Sequence, residues 1–247
     1  MMRMKMRQMK RTLLNALETL RFSVSRNRPL LLRKFKECRS DDDLFAFART
    51  HIGIDQKREE FKRFLAYVKK LNPQSILEIG VNNGGMNFML ANSISSCRTI
   101  VGIDLFLFNV HLLRLFVRNG VVQHFIQGDS GENRTFQRVA ALFGGPPKID
   151  LLFIDGDHSY KGVVADFRYR CLVRDGGIIA FHDICMDHRR RYGIETPNYA
   201  GEVHLFWRKL RDQFDSAEFF TSEDQNGAGI GTITWNPSKS LDAIVNT

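Results

Sequence analysis

The sequence predicts an α/β fold: a doubly wound, mostly parallel seven-stranded sheet with an antiparallel last strand, preceded by a basic helical N-terminal arm. Three observations predict it. From Ser75 onward, short apolar runs alternate with stretches of helical periodicity, the pattern of parallel strands joined by crossover helices. Five consecutive strand-like runs end in polar or acidic residues, as the ligand edge of an open α/β sheet does. Residues 219–235 hold two strand-like runs joined by the short polar loop EDQNGAG, which is hairpin chemistry and turns the final strand antiparallel.

The elements follow in order. Residues 1–45 read as the arm and residues 46–247 as the α/β domain. Residues 1–40 hold 12 Lys or Arg against 2 Glu, a balance of +10, while the remaining chain balances at −1. The basic character therefore belongs to the arm. Met4, Met6, Met9, Leu13, Leu14, Leu17 and Leu20 have rough helical spacing, and Pro29 divides the arm. Such a segment can meet nucleic acid, an anionic membrane, the body of the protein or a second copy in a homo-oligomer. Residues 41–72 read as helical, with Ser40 or Asp41 as the cap and Pro73 as the stop. The strands are then SILEIG, RTIVGID, VVQHFIQGD, IDLLFID, IIAFHD, AEFFTS and GIGTITW. Between the first five lie the helical stretches NGGMNFMLANSI, FNVHLLRLFVRNG, ENRTFQRVAALFGG and YKGVVADFRYRCLV, and DGG turns the chain before IIAFHD. A polar, Arg-rich segment runs from Asp187 to Ala200, followed by a helix near EVHLFWRKLRDQF.

Composition narrows the function classes. At 247 residues and 43% hydrophobic content, the chain has room for one sizeable core. No run approaches the roughly 18 apolar residues of a membrane span. The start MMRMKMRQMK lacks the apolar centre of a secretory signal, so a cytoplasmic protein is expected. Cys38, Cys97, Cys171 and Cys185 form no CxxC pair, which argues against a zinc site or a redox dithiol.

The strand ends carry the chemistry. Glu78 to Gly85 is a glycine-bearing turn that allows close backbone approach to a ligand. It is neither GxGxxG nor a P-loop, so an NAD-dependent oxidoreductase is disfavoured. Asp104 ends the second strand, where a carboxylate can accept hydrogen bonds from both hydroxyls of a ribose. Asp129 and Ser130 end the third and can reach an adenine edge. The fourth ends in Asp155, Gly156, Asp157 and His158, the fifth in His182 and Asp183. A histidine ordinarily titrates near working pH, so His158 suits a general base; the bland alternative is that it caps the following helix with Asp157. Asp187-His-Arg-Arg-Arg191 can recognise an anionic group or simply face solvent. Phe206 and Trp207 read as core.

The stretches ILEIGVNNGG, VGIDL, QGDS, LLFIDGDHSYKGVVADF, GGIIAFHD and GIGTITW, in this order, resemble class I S-adenosylmethionine-dependent methyltransferases. The subgroup resembled is that of macrocin O-methyltransferases and cephalosporin-biosynthesis methyltransferase-like proteins, over roughly residues 60–236. The resemblance implies that Glu78, Gly80, Asn82 and Gly84 lie along the methionine and ribose of S-adenosyl-L-methionine. It implies that Asp104 holds the ribose and that Gly128, Asp129 and Ser130 border the adenine. It implies a divalent metal, Mg2+ or Mn2+, at positions matching Asp155, His182 and Asp183, with His158 as base beside Asp155. The departure is His182: Mg2+ prefers oxygen ligands, and an imidazole suits Mn2+, Fe2+ or Zn2+. Either His182 points elsewhere, or the metal differs, or none is held. The expected reaction is O-methylation of a hydroxyl on a small molecule or sugar. Methylation of nitrogen, and a nucleic-acid-binding or membrane-associating protein built on the basic arm, are the competing readings.

Overall fold

The computed structural model describes residues 28–145, 148–197 and 199–239. The arm segment from Met4 to Leu20 lies outside the described residues. Helix α1 spans Arg28–Glu37, with Pro29 in its first turn, where a missing N–H costs nothing. Its Leu31, Leu32 and Phe35 pack on the core. Helix α2 spans Asp41–His51. Ser40 caps it through a capping box: Ser40 Oγ accepts from Asp43 N, and Asp43 Oδ2 accepts from Ser40 N at 2.9 Å. Helix α2 runs straight through residue 45, where the sequence reading divides arm from domain, and its Phe45, Phe47 and Ala48 are buried.

The helical stretch read over 41–72 is two helices. Gly53 takes φ +105° after α2, and the chain re-enters helix as α3 at Arg58–Lys70. One face of α3 buries Phe61, Phe64, Leu65 and Val68. Phe64 meets Phe153 and Phe219, with ring centroids 5.6 and 6.0 Å apart.

The sheet then builds in alternation: β1 (Ser75–Ile79), α4 (Gly85–Ser93), β2 (Thr99–Asp104), α5 (Val110–Leu115), β3 (Val122–Gln127), α6 (Asn133–Leu142), β4 (Ile149–Ile154) and α7 (Tyr160–Asp166). After α7 come a 3-10 turn (Phe167–Leu172), β5 (Val173–His182), α8 (His188–Tyr192), α9 (Val203–Arg211), β6 (Ser216–Phe219) and β7 (Ile230–Thr234). The strand order is β3-β2-β1-β4-β5-β7-β6. Strands β1 to β5 pair in parallel, and β7 pairs antiparallel with both β5 and β6. This is the doubly wound, mostly parallel sheet with an antiparallel last strand, which here inserts between β5 and β6.

Three boundaries differ from the sequence reading. The helix read over FNVHLLRLFVRNG is helical only over Val110–Leu115. The stretch YKGVVADFRYRCLV is one short α-helix followed by a 3-10 turn. The DGG segment lies within β5, where Gly176 at φ +70° and a register shift between Ile149 and Leu151 absorb the bend without ending the strand.

The central strands are buried on both faces, as parallel strands between two helix layers must be. On one side Leu151 and Phe153 of β4 join the cluster under α1 to α4; on the other Leu152 and Ile154 join the cluster under α7 and α9. The carboxyl ends of β1 to β5 therefore emerge together at one rim, with polar residues where the apolar runs stop.

Candidate active site

Strand β1 ends beside β4, and Asp155 N donates to Ile79 O at 2.8 Å. Gly80 follows with φ +90°, and a Cβ there would lie 1.8 Å from Asp155 O, so only glycine lets the two strand ends close. The turn that follows bends back over β2. Asn82 N donates to Asp104 Oδ2 at 2.7 Å, and Phe106 N donates to Asp104 Oδ1 at 2.8 Å. Burial raises the Asp104 pKa against these two bonds.

A cavity of about 1100 Å³ opens at this rim. Glu78, Gly80, Asn82, Asp104, Asp129, Ser130, Asp155, His158, His182 and Asp183 all line it, so one wall collects nearly every residue singled out in the sequence. Gly84 stands behind the wall, where a Cβ would lie 2.5 Å from Leu113 Cδ1. The Glu78 carboxyl is fully buried and accepts from Asn87 Nδ2 at 2.8 Å, while its Oε1 has no partner. Burial pushes that carboxyl well above the usual carboxylate range. Asp129 Oδ1 accepts from Gly131 N at 2.8 Å and shapes the turn after β3.

The densest chemistry lies between β4 and β5. His182 Nδ1 is 3.2 Å from Asp155 Oδ1 and 3.3 Å from Asp183 Oδ2. His158 bridges the same pair from above, with Nε2 3.5 Å from Asp155 Oδ1 and Nδ1 3.3 Å from Asp183 Oδ2. Asp183 takes φ +61°, a left-handed conformation, and Ala228 N donates to its Oδ1 at 3.0 Å. Burial opposes a charged His158, but the bond to Asp155 and the charge of Asp183 outweigh it and raise its pKa to about 9. His182 is likewise held well above its ordinary value: burial opposes charge, and Asp155 and Asp183 outweigh it. Asp155 sits below its ordinary range because the two imidazoles overcome its burial.

The donor set can be tested against a cation. One ligand atom each from Asp155, His182 and Asp183 lie within 4.8 Å of one another. His182 Nδ1 points between the two carboxylates, not away from them. Two oxygens and one imidazole nitrogen fit Mn2+, Fe2+ or Zn2+ better than Mg2+. The other nitrogen, His182 Nε2, is buried without a partner.

Asp157 and His158 do not share the helix-capping job. Ser159 caps α7 by accepting from Gly162 N, and Asp157 Oδ1 accepts from Ser159 N at 2.9 Å. Asp157 thus turns to the helix start and leaves His158 facing the cavity. The Arg run also lies elsewhere: Arg189 pairs with Glu195 at 3.5 Å, Arg190 with Glu202 at 3.3 Å and Arg191 with Asp224 at 2.9 Å. Among the described residues, no arginine lines the cavity. Phe206 and Trp207 are core.

Four contributors escaped the sequence reading. Gln56 Nε2 donates to Asp155 Oδ2 at 3.0 Å. Glu60, fully buried, accepts from Gly229 N at 2.9 Å, and Lys57 Nζ reaches Gly227 O at 3.5 Å. Together they clamp the loop whose Ala228 holds Asp183. Tyr199 lies parallel to the His158 ring at 6.1 Å, and its carbonyl oxygen is 3.2 Å from His158 Nδ1. No local pattern marks these residues; the Gln56–Asp155 bond joins positions 99 apart.

This topology, five parallel strands followed by an antiparallel β7 set between β5 and β6, is the class I methyltransferase-like α/β fold. Residues 77–184 match the family described as a methyltransferase domain. Over 116 residues the chain is 33% identical to an uncharacterized protein of Acanthamoeba polyphaga mimivirus, covering 43% of this chain and 50% of that one. The match thus spans about half the length of that relative. Among solved structures, an O-methyltransferase from Bacillus cereus in complex with SAH superposes with TM-score 0.54 at 15% identity, covering 90% of this chain and 98% of that one. A putative caffeoyl-CoA O-methyltransferase from Staphylococcus aureus gives TM-score 0.54 at 15% identity, covering 85% and 99%. At such identities these likenesses establish the shared fold. Among the described residues, no helix is long and apolar enough to cross a membrane.

Proposed function

We propose that the chain is an S-adenosyl-L-methionine-dependent O-methyltransferase acting on a hydroxyl of a small molecule or saccharide. One observation carries the reading: the glycine turn with Asp104 and the Asp155–His158–His182–Asp183 cluster open onto the same cavity. The first set suits an adenosyl cofactor and the second suits activation of a hydroxyl. In this reading Asp104 holds the ribose hydroxyls, and Asp129 and Ser130 border the adenine. The cofactor supplies a methyl group on a sulfonium, already a good leaving group, so the protein's task is to orient the acceptor and strip its proton.

His158 takes that proton, and its ring is aimed by the Tyr199 carbonyl and the Asp183 carboxylate. Asp155, Asp183 and His182 would hold a divalent cation, which lowers the pKa of a hydroxyl bound to it. A cation held there would offset the carboxylate charge that raises the His158 pKa and so would favour the neutral imidazole that can accept a proton. The cavity wall carries seven carboxylate residues against one lysine, Lys57. That balance favours a neutral acceptor over a phosphorylated or carboxylated one. The resemblance to macrocin-type enzymes agrees with a sugar or similar polyhydroxylated acceptor.

Calorimetry with S-adenosyl-L-methionine and its demethylated product tests the reading, and absence of binding to both overturns it. Asp104→Ala is expected to abolish binding. His158→Ala is expected to retain it and to lose turnover by about 100-fold or more. Activity that survives exhaustive EDTA treatment would remove the cation from this scheme.

A further inference from the structure

Asp166 takes no part in the scheme above, and packing does not explain it. It ends helix α7, and the chain tightens into the 3-10 turn directly after it. Its side chain is buried, and its Oδ2 has no partner. Burying a carboxylate is unfavourable unless bonds or opposite charge offset the lost water. Burial, and the charges of Asp157 and Asp129, oppose its ionisation, against bonds from the Ser130 side chain and from Asp157 N. Its place is specific. Gly156 lines the cavity, and a Cβ there would lie 2.5 Å from Asp166 Oδ2, so the carboxylate sits directly behind the cavity wall. The turn after β3, on the same wall, is held from the same segment. Tyr169 OH donates to Ser130 O at 3.0 Å. Arg168 Nη1 donates to Gly131 O at 2.8 Å and Nη2 to Glu132 O at 3.1 Å, with the guanidinium 4.8 Å from the Phe136 ring centroid. Tyr169 and Arg168 thus take the carbonyls of residues 130–132, and Asp166 takes the Ser130 hydroxyl.

Bracing the backbone does not fix a hydroxyl, which is donor or acceptor according to how it rotates. An ionised carboxylate can only accept, so the bond to Asp166 uses the Ser130 proton and leaves the lone pairs of Ser130 Oγ for a ligand. Ser130 lines the cavity. We propose, resting on the cofactor reading above, that Asp166 is a positioning residue that presents Ser130 to the cavity as a hydrogen-bond acceptor. The site then selects a nucleoside whose base offers an amine, as adenine does, over one with a carbonyl in its place. A hydroxyl free to rotate serves either base, whereas a fixed acceptor facing a carbonyl is left unpaired. On this account the buried acid is kept for recognition at some cost to stability, as strained or poorly solvated groups at functional sites are.

The test uses the full chain and does not depend on methyl transfer. Calorimetry at pH 7.5 compares S-adenosylhomocysteine with S-inosylhomocysteine, which carries a carbonyl in place of the adenine amine. The unmodified chain is expected to prefer the adenine nucleoside. Asp166→Leu, similar in shape but unable to accept a bond, should lose about 10-fold in affinity for S-adenosylhomocysteine and keep its affinity for S-inosylhomocysteine. Asp166→Asn, whose amide oxygen still accepts, should fall between the two. Ser130→Ala should match Asp166→Leu, and the double variant should be no weaker than either single one, because both changes break one bond. Ser130 is partly exposed, so Ser130→Ala carries the test if Asp166→Leu does not fold. A merely structural Asp166 would lower affinity for both nucleosides together, and that result overturns the proposal. So does unchanged discrimination in Ser130→Ala, or an unmodified chain that binds both nucleosides equally. An unmodified chain that binds neither overturns the cofactor reading itself, and this proposal with it.

Discussion

At the residue scale, two buried side chains make sharp predictions. Asp166, 2% exposed, has its pKa raised to about 6, chiefly by burial, against a hydrogen bond from Ser130. A carboxyl whose folded pKa is raised favours the native state while protonated. Its full contribution is present below the unfolded pKa near 4 and is lost as pH rises through 6. The loss amounts to about 3 kcal/mol. Asp166→Asn, which cannot ionise, should melt higher than the parent at pH 7.5 and show no such gain at pH near 4. Calorimetric melting across that range checks it. Gln56 is the second case. Its amide occupies Asp155 Oδ2 and leaves Oδ1 toward the two imidazoles. Gln56→Leu should weaken Mn2+ affinity, read by electron paramagnetic resonance, by about 10- to 100-fold, with S-adenosylhomocysteine affinity unchanged. Asp155 was visible in the sequence because it ends an apolar run. Gln56 was not, because its role exists only across the 99-residue separation that folding closes.

At the element scale, the strand ends set the geometry of the site. The β1 and β4 ends meet so closely that Gly80 has neither room for a Cβ nor a φ that other residues favour. Gly80→Ala should cost more than about 4 kcal/mol in chemical denaturation, or abolish soluble expression, because both penalties apply at once. Helix α3 couples the sheet to the site: its outer end supplies the Glu60 bond to Gly229 N, and its apolar face buries Phe64 on Phe153. The sequence showed this helix through its amphipathic spacing, but the break before it was hidden. Gly53 ends α2, and the short turn to Arg58 brings Gln56 to Asp155. DGG misled in the opposite direction. Turn residues inside β5 make a bulge, since pairing with β4 resumes at once on the far side.

At the scale of the whole molecule, the matched stretch, residues 77–184, holds only part of the core. Strand β7 lies between β5 and β6, and α2 and α3 cover one sheet face with Phe45, Phe47, Phe61 and Phe64. An isolated 77–184 fragment should therefore show no cooperative thermal transition by circular dichroism, whereas residues 28–239 should melt as one unit. By itself the sequence determined the α/β class, the antiparallel last strand and the acids and histidines at the strand ends. Those follow from local periodicity and from apolar runs that stop at polar residues. Tertiary structure alone decided that His182 Nδ1 faces Asp155 and Asp183, that the Arg run is spent on ion pairs, and that α2 belongs to the core. It also decided that Gln56 and Glu60 brace the site. Each of these depends on distances between segments far apart in the chain, which packing sets and no local pattern encodes.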